Sequence, residues 1–168
     1  MAVERVERWL TDAGLKTRRD AVGNLWGRVE GTEQGRSVVT GSHIDTVRRG
    51  GRFDGALGIV GGLAAVEMLL KEQGRPQRTL EVVAICEEEG SRFKTNFWGS
   101  RAITGGIDRV DSDIAAAMRI QGLDPARVAA AARDDIDTFV ELHIEQGGVL
   151  EKSGIPLAVV RAIVGTAH

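Results

Sequence analysis

The sequence predicts an α/β fold, with one layered sheet and helices on both of its faces. Two observations support this prediction. Apolar runs with the composition of strands alternate along the chain with longer segments of helical character. One run, from Val82 to Ile85, is apolar throughout, which is typical of a strand buried on both faces. Strands that alternate with helices favour an α/β layered sheet with helices on both faces.

The predicted helices follow from apolar spacing and from glycines. Segment 3–13 has apolar residues at the spacing of one helical face, namely Val3, Val6, Trp9 and Leu10. A longer apolar helix is predicted over 55–74, and its internal glycines favour close packing on the sheet. Both segments end at a glycine, as helices commonly do. Residues 108–133 are also predicted to be helical, with a break near Gly122 and Pro125.

Five segments have the composition of strands: 24–31, 35–43, 78–90, 137–148 and 155–165. The second of them ends at His43. In the fourth, apolar and polar residues alternate, so one face of the strand would carry Val140, Leu142 and Ile144, and the other Glu141, His143 and Glu145. His143 is therefore predicted on the polar side of a half-buried strand.

Composition excludes several classes of protein. The chain has 168 residues, enough for one domain, and its 22 basic and 24 acidic residues suggest no nucleic-acid or membrane partner. The single cysteine, Cys86, cannot form an internal disulfide and fits a reducing compartment. No segment has the pattern of a signal peptide or the length of a membrane span. We expect a cytoplasmic protein whose residues 1–168 all belong to one domain.

Histidine and acidic residues cluster where the predicted strands end. The stretch GSHIDTVRRGGRFDGALG contains His43, Asp45 and Asp54, and three adjacent glutamates, Glu87, Glu88 and Glu89, end another strand. Because parallel strands bring their carboxyl ends to one edge of a sheet, these clusters should meet. A metal centre would relieve the repulsion among the glutamates. A solvated loop, an exposed acidic turn and a surface histidine at position 143 remain the alternatives.

These residue types fit a hydrolytic metal centre. Zinc binds imidazole nitrogen and carboxylate oxygen, and a catalytic site keeps one position open for water. Two ions about 3.5–4 Å apart can share one carboxylate and activate a water molecule between them. A nearby glutamate that is not a ligand would then serve as general base. Asp45, two residues after His43, is predicted to accept the second imidazole proton.

Five motifs together carry a family resemblance: DAVGNLWGRVEG, GSHIDTVRRGGRFDGALG, EEEGSRF, WGSRAITGG and FVELHIEQGGVLE. In this order they resemble the zinc amidohydrolases that include N-carbamoyl-L-amino acid hydrolases and allantoate amidohydrolases. The resemblance implies a zinc exopeptidase-like catalytic domain that hydrolyses a ureido C–N bond and releases ammonia and carbon dioxide. The segment EEEGSRF followed by FWGS looks more like the allantoate enzymes.

The resemblance also implies a role for each motif residue. His43 is similar to a ligand of one metal ion, Asp54 to the carboxylate that bridges two ions, and Glu89 and His143 to ligands of the second ion. Glu88 matches the general base, and Asp45 the partner of the first histidine. Gln146 is a weaker candidate for substrate contact. The ions would be zinc or manganese, and the Asp54–Gly55 peptide is expected to be cis, as in related enzymes.

The chain also departs from this family. Its members are much longer, with an inserted lid and dimerisation domain and a further histidine ligand. We expect an amino-terminal fragment that is inactive alone and exposes the apolar segment 157–164. The full-length family is expected to form homodimers, with a small ureido substrate. Two other functions stay open: a metallo-aminopeptidase or deacylase, and a non-catalytic metal-binding or interaction module.

Overall fold

The computed structural model describes residues 2–163, which form one five-stranded sheet and its covering helices. The helices are α1 (Ala2–Asp12), α2 (Ala56–Gln73), α3 (Trp98–Ile103), α4 (Ser112–Ile120), a 3-10 helix (Pro125–Ala131) and α5 (Val149–Ser153). The strands are β1 (Lys16–Arg19), β2 (Leu25–Val29), β3 (Ser37–His43), β4 (Leu80–Ile85) and β5 (Ile136–Val140). None of the helices in this part of the chain could cross a membrane, judged by length and apolar content.

The sheet is mixed, with strand order β1-β2-β4-β3-β5. The first two pairs, β1 with β2 and β2 with β4, are antiparallel, whereas β3 runs parallel to both β4 and β5. The three parallel strands therefore end at one edge of the sheet, with β3 between the other two. This arrangement brings the ends of the predicted functional segments together.

Helices cover both faces of the sheet, as predicted. On one face, Val82 and Ala84 of β4 pack with apolar residues of α1 and α2. On the other, Val83 and Ile85 of the same strand pack with Trp26. A further cluster beyond that face joins α3, α4 and the 3-10 helix through Val22, Trp98, Ala102, Ile114, Met118, Val128 and Ala131. Burial of both sides of β4 confirms the interpretation of its apolar run.

The glycines of α2 allow the close packing that the sequence predicts. A Cβ atom added at Gly58 would lie 2.4 Å from the carbonyl oxygen of Leu142 and 2.6 Å from the Cβ of Ser42. Contacts that short do not occur between real side chains, so only glycine lets the helix approach β3 and the segment after β5 this closely.

The prediction for α1 was wrong in one residue. Val6 and Leu10 are buried, but Trp9 is 43% exposed. At about 100° per residue, Trp9 lies at the edge of the apolar stripe formed by its neighbours. Strand β1 and helix α3 were not predicted at all, because KTRR has no alternation and WGSRAI is too short to show a helical period.

The carboxyl-terminal strands also differ from the prediction. Strand β5 ends at Val140, so residues 141–145 continue without strand structure. Residues 155–163 are not a strand either, because no strand within residues 2–163 pairs with them and β-propensity alone does not make a ladder. The expected exposure of the apolar segment is confirmed for 157–163, where Val159 is 92% exposed. Residues 164–168 lie outside the described part of the chain.

Candidate metal centre

The first part of the candidate centre is the loop between β3 and α2. Strand β3 ends at His43, and the loop returns Asp54 to within 3.5 Å of it, measured from Asp54 Oδ1 to His43 Nε2. Gly55 makes this return possible. Its φ is +67°, and an added Cβ would lie 2.3 Å from the His43 carbonyl oxygen and 2.6 Å from the imidazole ring. Only glycine combines this conformation with such a close approach.

The expected cis peptide between Asp54 and Gly55 is not found. All peptide bonds in the described residues are trans. The backbone reverses through the positive φ of Gly55 instead, which glycine adopts without steric cost. That expectation was therefore wrong.

The three adjacent glutamates after β4 point to three different partners. Glu87 forms an ion pair with Arg92. Both carboxylate oxygens of Glu88 accept hydrogen bonds from Ser100, one from its backbone N–H and one from its hydroxyl, each at 2.8 Å. Glu89 Oε1 lies 3.5 Å from His43 Nε2. Because the three carboxylates have different partners, they are separated and repel one another less. Of the three, Glu89 points towards His43.

The environment of Glu88 differs from that of an exposed carboxylate. Burial raises the pKa of the Glu88 carboxyl group, while the hydrogen bonds from Ser100 act in the opposite direction. Desolvation is the larger influence, so the carboxyl group holds a proton more readily than usual.

The second part of the centre follows β5. His143 lies three residues beyond the end of that strand, yet its Nε2 is 3.4 Å from His43 Nε2 and 3.5 Å from Asp54 Oδ1. The two imidazole rings are stacked with their centroids 5.6 Å apart. Ligand atoms of His43, Asp54 and His143 all lie within 4.8 Å of one another. Residues a hundred positions apart in sequence therefore meet at one point.

The hydrogen bonds of the two histidines show what could occupy this point. Nδ1 of His43 lies 2.8 Å from the Asp45 carbonyl oxygen, and Nδ1 of His143 lies 2.9 Å from that of Ile144. A carbonyl oxygen only accepts, so each Nδ1 carries the hydrogen and each Nε2 of a neutral imidazole presents a lone pair. Both nitrogens lie 3.5 Å from Asp54 Oδ1, and Glu89 Oε1 lies 3.5 Å from His43 Nε2. This donor set fits a divalent cation.

Asp45 does not contact His43 in the way the sequence suggested. The backbone carbonyl of Asp45 accepts the imidazole hydrogen, and its carboxylate Oδ1 stays 4.0 Å from Nδ1. Each carboxylate oxygen instead accepts one backbone N–H, from Glu88 and from Glu89, both at 3.0 Å. The chain turns after β3, which points the carboxylate towards the end of β4 rather than towards the ring.

Gln146 contacts a candidate ligand. Its side-chain amide donates a hydrogen bond to Asp54 Oδ1 at 3.2 Å. Its backbone has φ +57°, which is uncommon for a residue other than glycine. The contact aligns the Asp54 carboxylate, and the predicted role of Gln146 in substrate binding stays a prediction.

Backbone strain is concentrated in the segments that form the centre. Within residues 2–163, four non-glycine residues have positive φ: Arg49, Glu87, Phe97 and Gln146. They lie in the loop after β3, at the end of β4, just before α3 and just after His143. Such conformations cost about 1–3 kcal/mol each and collect where function requires a fixed geometry.

The sequence did not indicate Ser100, or Asn24, which holds the start of α3 in place. Asn24, fully buried, donates to the Gly99 carbonyl at 3.2 Å and accepts the Cys86 N–H at 2.9 Å. It thereby ties the start of α3 to the end of β4, and Ser100 follows directly. Both Asn24 and Ser100 lie in motifs that carry the family resemblance, but nothing in their type or spacing indicated these contacts.

Comparison with known proteins identifies the family. The model of peptidase family M20/M25/M40 matches residues 39–164, which is most of the chain and includes all the candidate ligands. The chain belongs to this family. Its members are metal-dependent, in agreement with the donor set at the sheet edge.

Curated relatives within the family are amidohydrolases. The chain is 45% identical to the allantoate amidohydrolase of Bacillus subtilis (strain 168), over 93% of this chain and 40% of that protein. It is 42% identical to the N-carbamoyl-L-amino acid amidohydrolase of Geobacillus stearothermophilus, over 98% of this chain and 43% of that protein. The chain thus spans about two fifths of the length of these relatives.

A solved structure confirms the fold. A hydantoinase/carbamoylase family amidase from Burkholderia ambifaria superposes with a TM-score of 0.80 at 36% identity, covering 90% of this chain and 39% of that one. The predicted α/β class and the family resemblance are both confirmed.

Proposed function

We propose that this chain supplies most of the metal centre of a hydrolase that cleaves linear ureido C–N bonds. The substrate would be allantoate or an N-carbamoyl-L-amino acid, with release of ammonia and carbon dioxide. The observation that carries the proposal is the convergence of His43 Nε2, His143 Nε2 and the Asp54 carboxylate, with Glu89 Oε1 3.5 Å from His43 Nε2. Identity of 45% to an allantoate amidohydrolase supports the choice of chemistry. We also propose a cytoplasmic location, consistent with the single thiol.

His43, Asp54, Glu89 and His143 would hold two divalent ions, zinc or manganese, and Asp54 would be shared between them. When bound, the ions would polarise the ureido carbonyl and lower the pKa of water. His43 and His143 would bind the ions through Nε2, because each Nδ1 hydrogen is engaged by a backbone carbonyl.

Glu88 is proposed as the general base. It would take a proton from the attacking water and return it to the departing nitrogen, which leaves as ammonia. Ser100 holds both carboxylate oxygens by hydrogen bonds of 2.8 Å, so the group is oriented before substrate arrives. Ser100 rather than a candidate ligand engages both Glu88 oxygens, which suits a base that is not itself a metal ligand.

The test is ammonia release by a chimera. Residues 1–168 would replace the matching segment of the Bacillus subtilis allantoate amidohydrolase, since the chain spans only 40% of that protein. Allantoate, an N-carbamoyl-L-amino acid and an N-acetyl-L-amino acid would be compared, with zinc or manganese added. We expect hydrolysis of a ureido substrate and little release of acetate.

Glu88→Gln in the chimera should lower turnover by at least about 100-fold at unchanged metal content. Glu72→Gln, on an exposed position of α2, is the matched control and should keep full activity. Preferential hydrolysis of the acetyl substrate would favour a deacylase instead. Metal binding without hydrolysis of any substrate would favour a binding module.

A further inference from the structure

Two consecutive glutamates carry different proposed tasks, so the backbone between them must be fixed. Glu88 is oriented towards Ser100 in α3, whereas Glu89 is oriented towards His43. Because each side chain follows its own Cα, a small rotation of the shared peptide would move both carboxylates from these partners. Some group must therefore hold this peptide in place.

Asp45 contacts that backbone directly. Its Oδ1 accepts the Glu88 N–H and its Oδ2 accepts the Glu89 N–H, each at 3.0 Å. The Asp45 side chain is only 12% exposed, which strengthens hydrogen bonds to a charged acceptor. Within residues 2–163 these two are the hydrogen bonds that the Asp45 carboxylate accepts.

The same residue also orients His43, but through its backbone. The Asp45 carbonyl accepts the Nδ1 hydrogen at 2.8 Å, while the carboxylate lies 4.0 Å from that nitrogen. One residue thus connects two segments of the centre, with its carbonyl on the histidine after β3 and its carboxylate on the glutamates after β4.

We propose that the Asp45 carboxylate is a positioning group for the Glu88–Glu89 backbone, and that it acts on the metal centre through Glu89 rather than through the imidazole of His43. This inference rests on the proposed metal site. The substitution Asp45→Asn separates the two routes. Asparagine keeps the backbone carbonyl for His43 but offers one acceptor oxygen in place of two, and its NH₂ group faces the second amide N–H.

The experiment combines zinc affinity with amide hydrogen exchange on the 168-residue chain. In Asp45→Asn we expect zinc binding weakened at least tenfold and exchange of the Glu88 and Glu89 amides accelerated at least tenfold. The His43 Nδ1–H resonance should keep its chemical shift. Asp108→Asn removes the same charge from an exposed position and should change none of these. In the wild-type chain, cross-hydrogen-bond couplings should link both amides to the Asp45 carboxyl carbon, which needs no variant.

Each result bears on a separate claim. Unchanged zinc affinity in a folded Asp45→Asn chain would overturn the positioning role, as would missing couplings in the wild type. A shift of the His43 Nδ1–H resonance with unchanged amide exchange would assign the carboxylate to the imidazole. Failure of the wild-type chain to bind zinc would overturn the metal proposal itself, and the positioning role with it.

Discussion

The two histidines of the candidate centre are held in very different ways. His43 ends β3, which is paired with β4 on one side and β5 on the other, and its side chain is only 7% exposed. His143 follows β5, which in the described part of the chain is paired with β3 alone, and its side chain is 29% exposed. The comparison shows that one ligand is fixed by the core of the sheet, whereas the other depends on packing at its edge.

Packing against α2 takes the place of strand pairing on the His143 side. Residues 141–145 have no strand structure, but Leu142 lies directly over Gly58. The Glu141 carboxylate also accepts a hydrogen bond from the hydroxyl of Ser42. These contacts position His143 without strand pairing. When packing is disturbed, we expect the His143 side of the centre to lose its structure before the His43 side.

The largest effect is expected for Gly55→Ala on the His43 side. Alanine at φ +67° would be strained by about 1–2 kcal/mol, and its Cβ would collide with the His43 carbonyl and ring. We expect the free energy of unfolding to fall by at least about 3 kcal/mol. We also expect zinc binding to be lost. Urea denaturation and zinc titration measure both.

Gly51→Ala is the matched control in the same loop. A Cβ at Gly51 meets nothing within 4 Å and its φ is not positive, so stability should change by less than about 0.5 kcal/mol. Equal effects of the two substitutions would contradict the close approach of Gly55 to His43.

A smaller effect is expected for Gly58→Ala on the His143 side. The added methyl group would meet the Leu142 carbonyl oxygen at 2.4 Å, so the segment that carries His143 must move. We expect a loss of about 1–3 kcal/mol in unfolding free energy and weaker zinc binding. At Gly61 the nearest atom is the flexible tip of Leu142, at 2.8 Å, and Gly61→Ala should be milder. The opposite order would show that the segment does not rest on Gly58.

Ser100→Ala, which affects Glu88, should have a modest effect on stability. It removes the hydroxyl hydrogen bond to Glu88 and keeps the backbone one, so unfolding free energy should fall by about 1 kcal/mol. In the chimera, turnover should fall further than zinc affinity, since Glu88 is the group affected. Ser112→Ala, which removes a hydroxyl hydrogen bond to the exposed Asp113, is the control. A variant in which zinc affinity falls as far as turnover would contradict this assignment.

The smallest perturbation is chemical labelling of Cys86 at the end of β4. Burial raises the pKa of this thiol, and its Sγ–H donates to the Val22 carbonyl at 3.3 Å. Since the thiolate is the reactive form, alkylation at pH 8 should be at least about tenfold slower in the folded chain than in urea. Comparable rates would show that this end of β4 is open to solvent.

Sequence predicted the elements whose own pattern is strong. Strands β3 and β4 and helix α2 show clear apolar runs with glycine boundaries, and all three form as predicted. The segment 155–163 has equal β-propensity but no partner strand, and pairing cannot be read from one segment alone. The short β1 and α3 exist because the surrounding chain packs on them.

The candidate centre was predictable only in its residue types. Residue chemistry and strand ends indicated His43, Asp54, Glu89 and His143. Ligand atoms of His43, Asp54 and His143 lie within 4.8 Å of one another, Glu89 lies 3.5 Å from His43, and their role as metal ligands stays a prediction. The orientation of Asp45 was not predictable, because two residues after a strand the side chain can turn towards either neighbour. The hydrogen bonds of Ser100 depend on α3 docking beside β4, a tertiary contact without a local signal.

Zinc affinity of the wild-type chain, His43→Ala and His143→Ala, compared with Glu72→Ala, tests the central claim most directly. If the converging side chains form one metal centre, the wild-type and Glu72→Ala chains bind zinc tightly. Both histidine variants should then bind at least tenfold more weakly, with His143→Ala retaining more of the wild-type unfolding free energy than His43→Ala. Zinc at about 100 times its Kd should also stabilise the wild-type chain by about 2.7 kcal/mol. Equal zinc affinity in all four chains would contradict the assignment of these histidines as ligands.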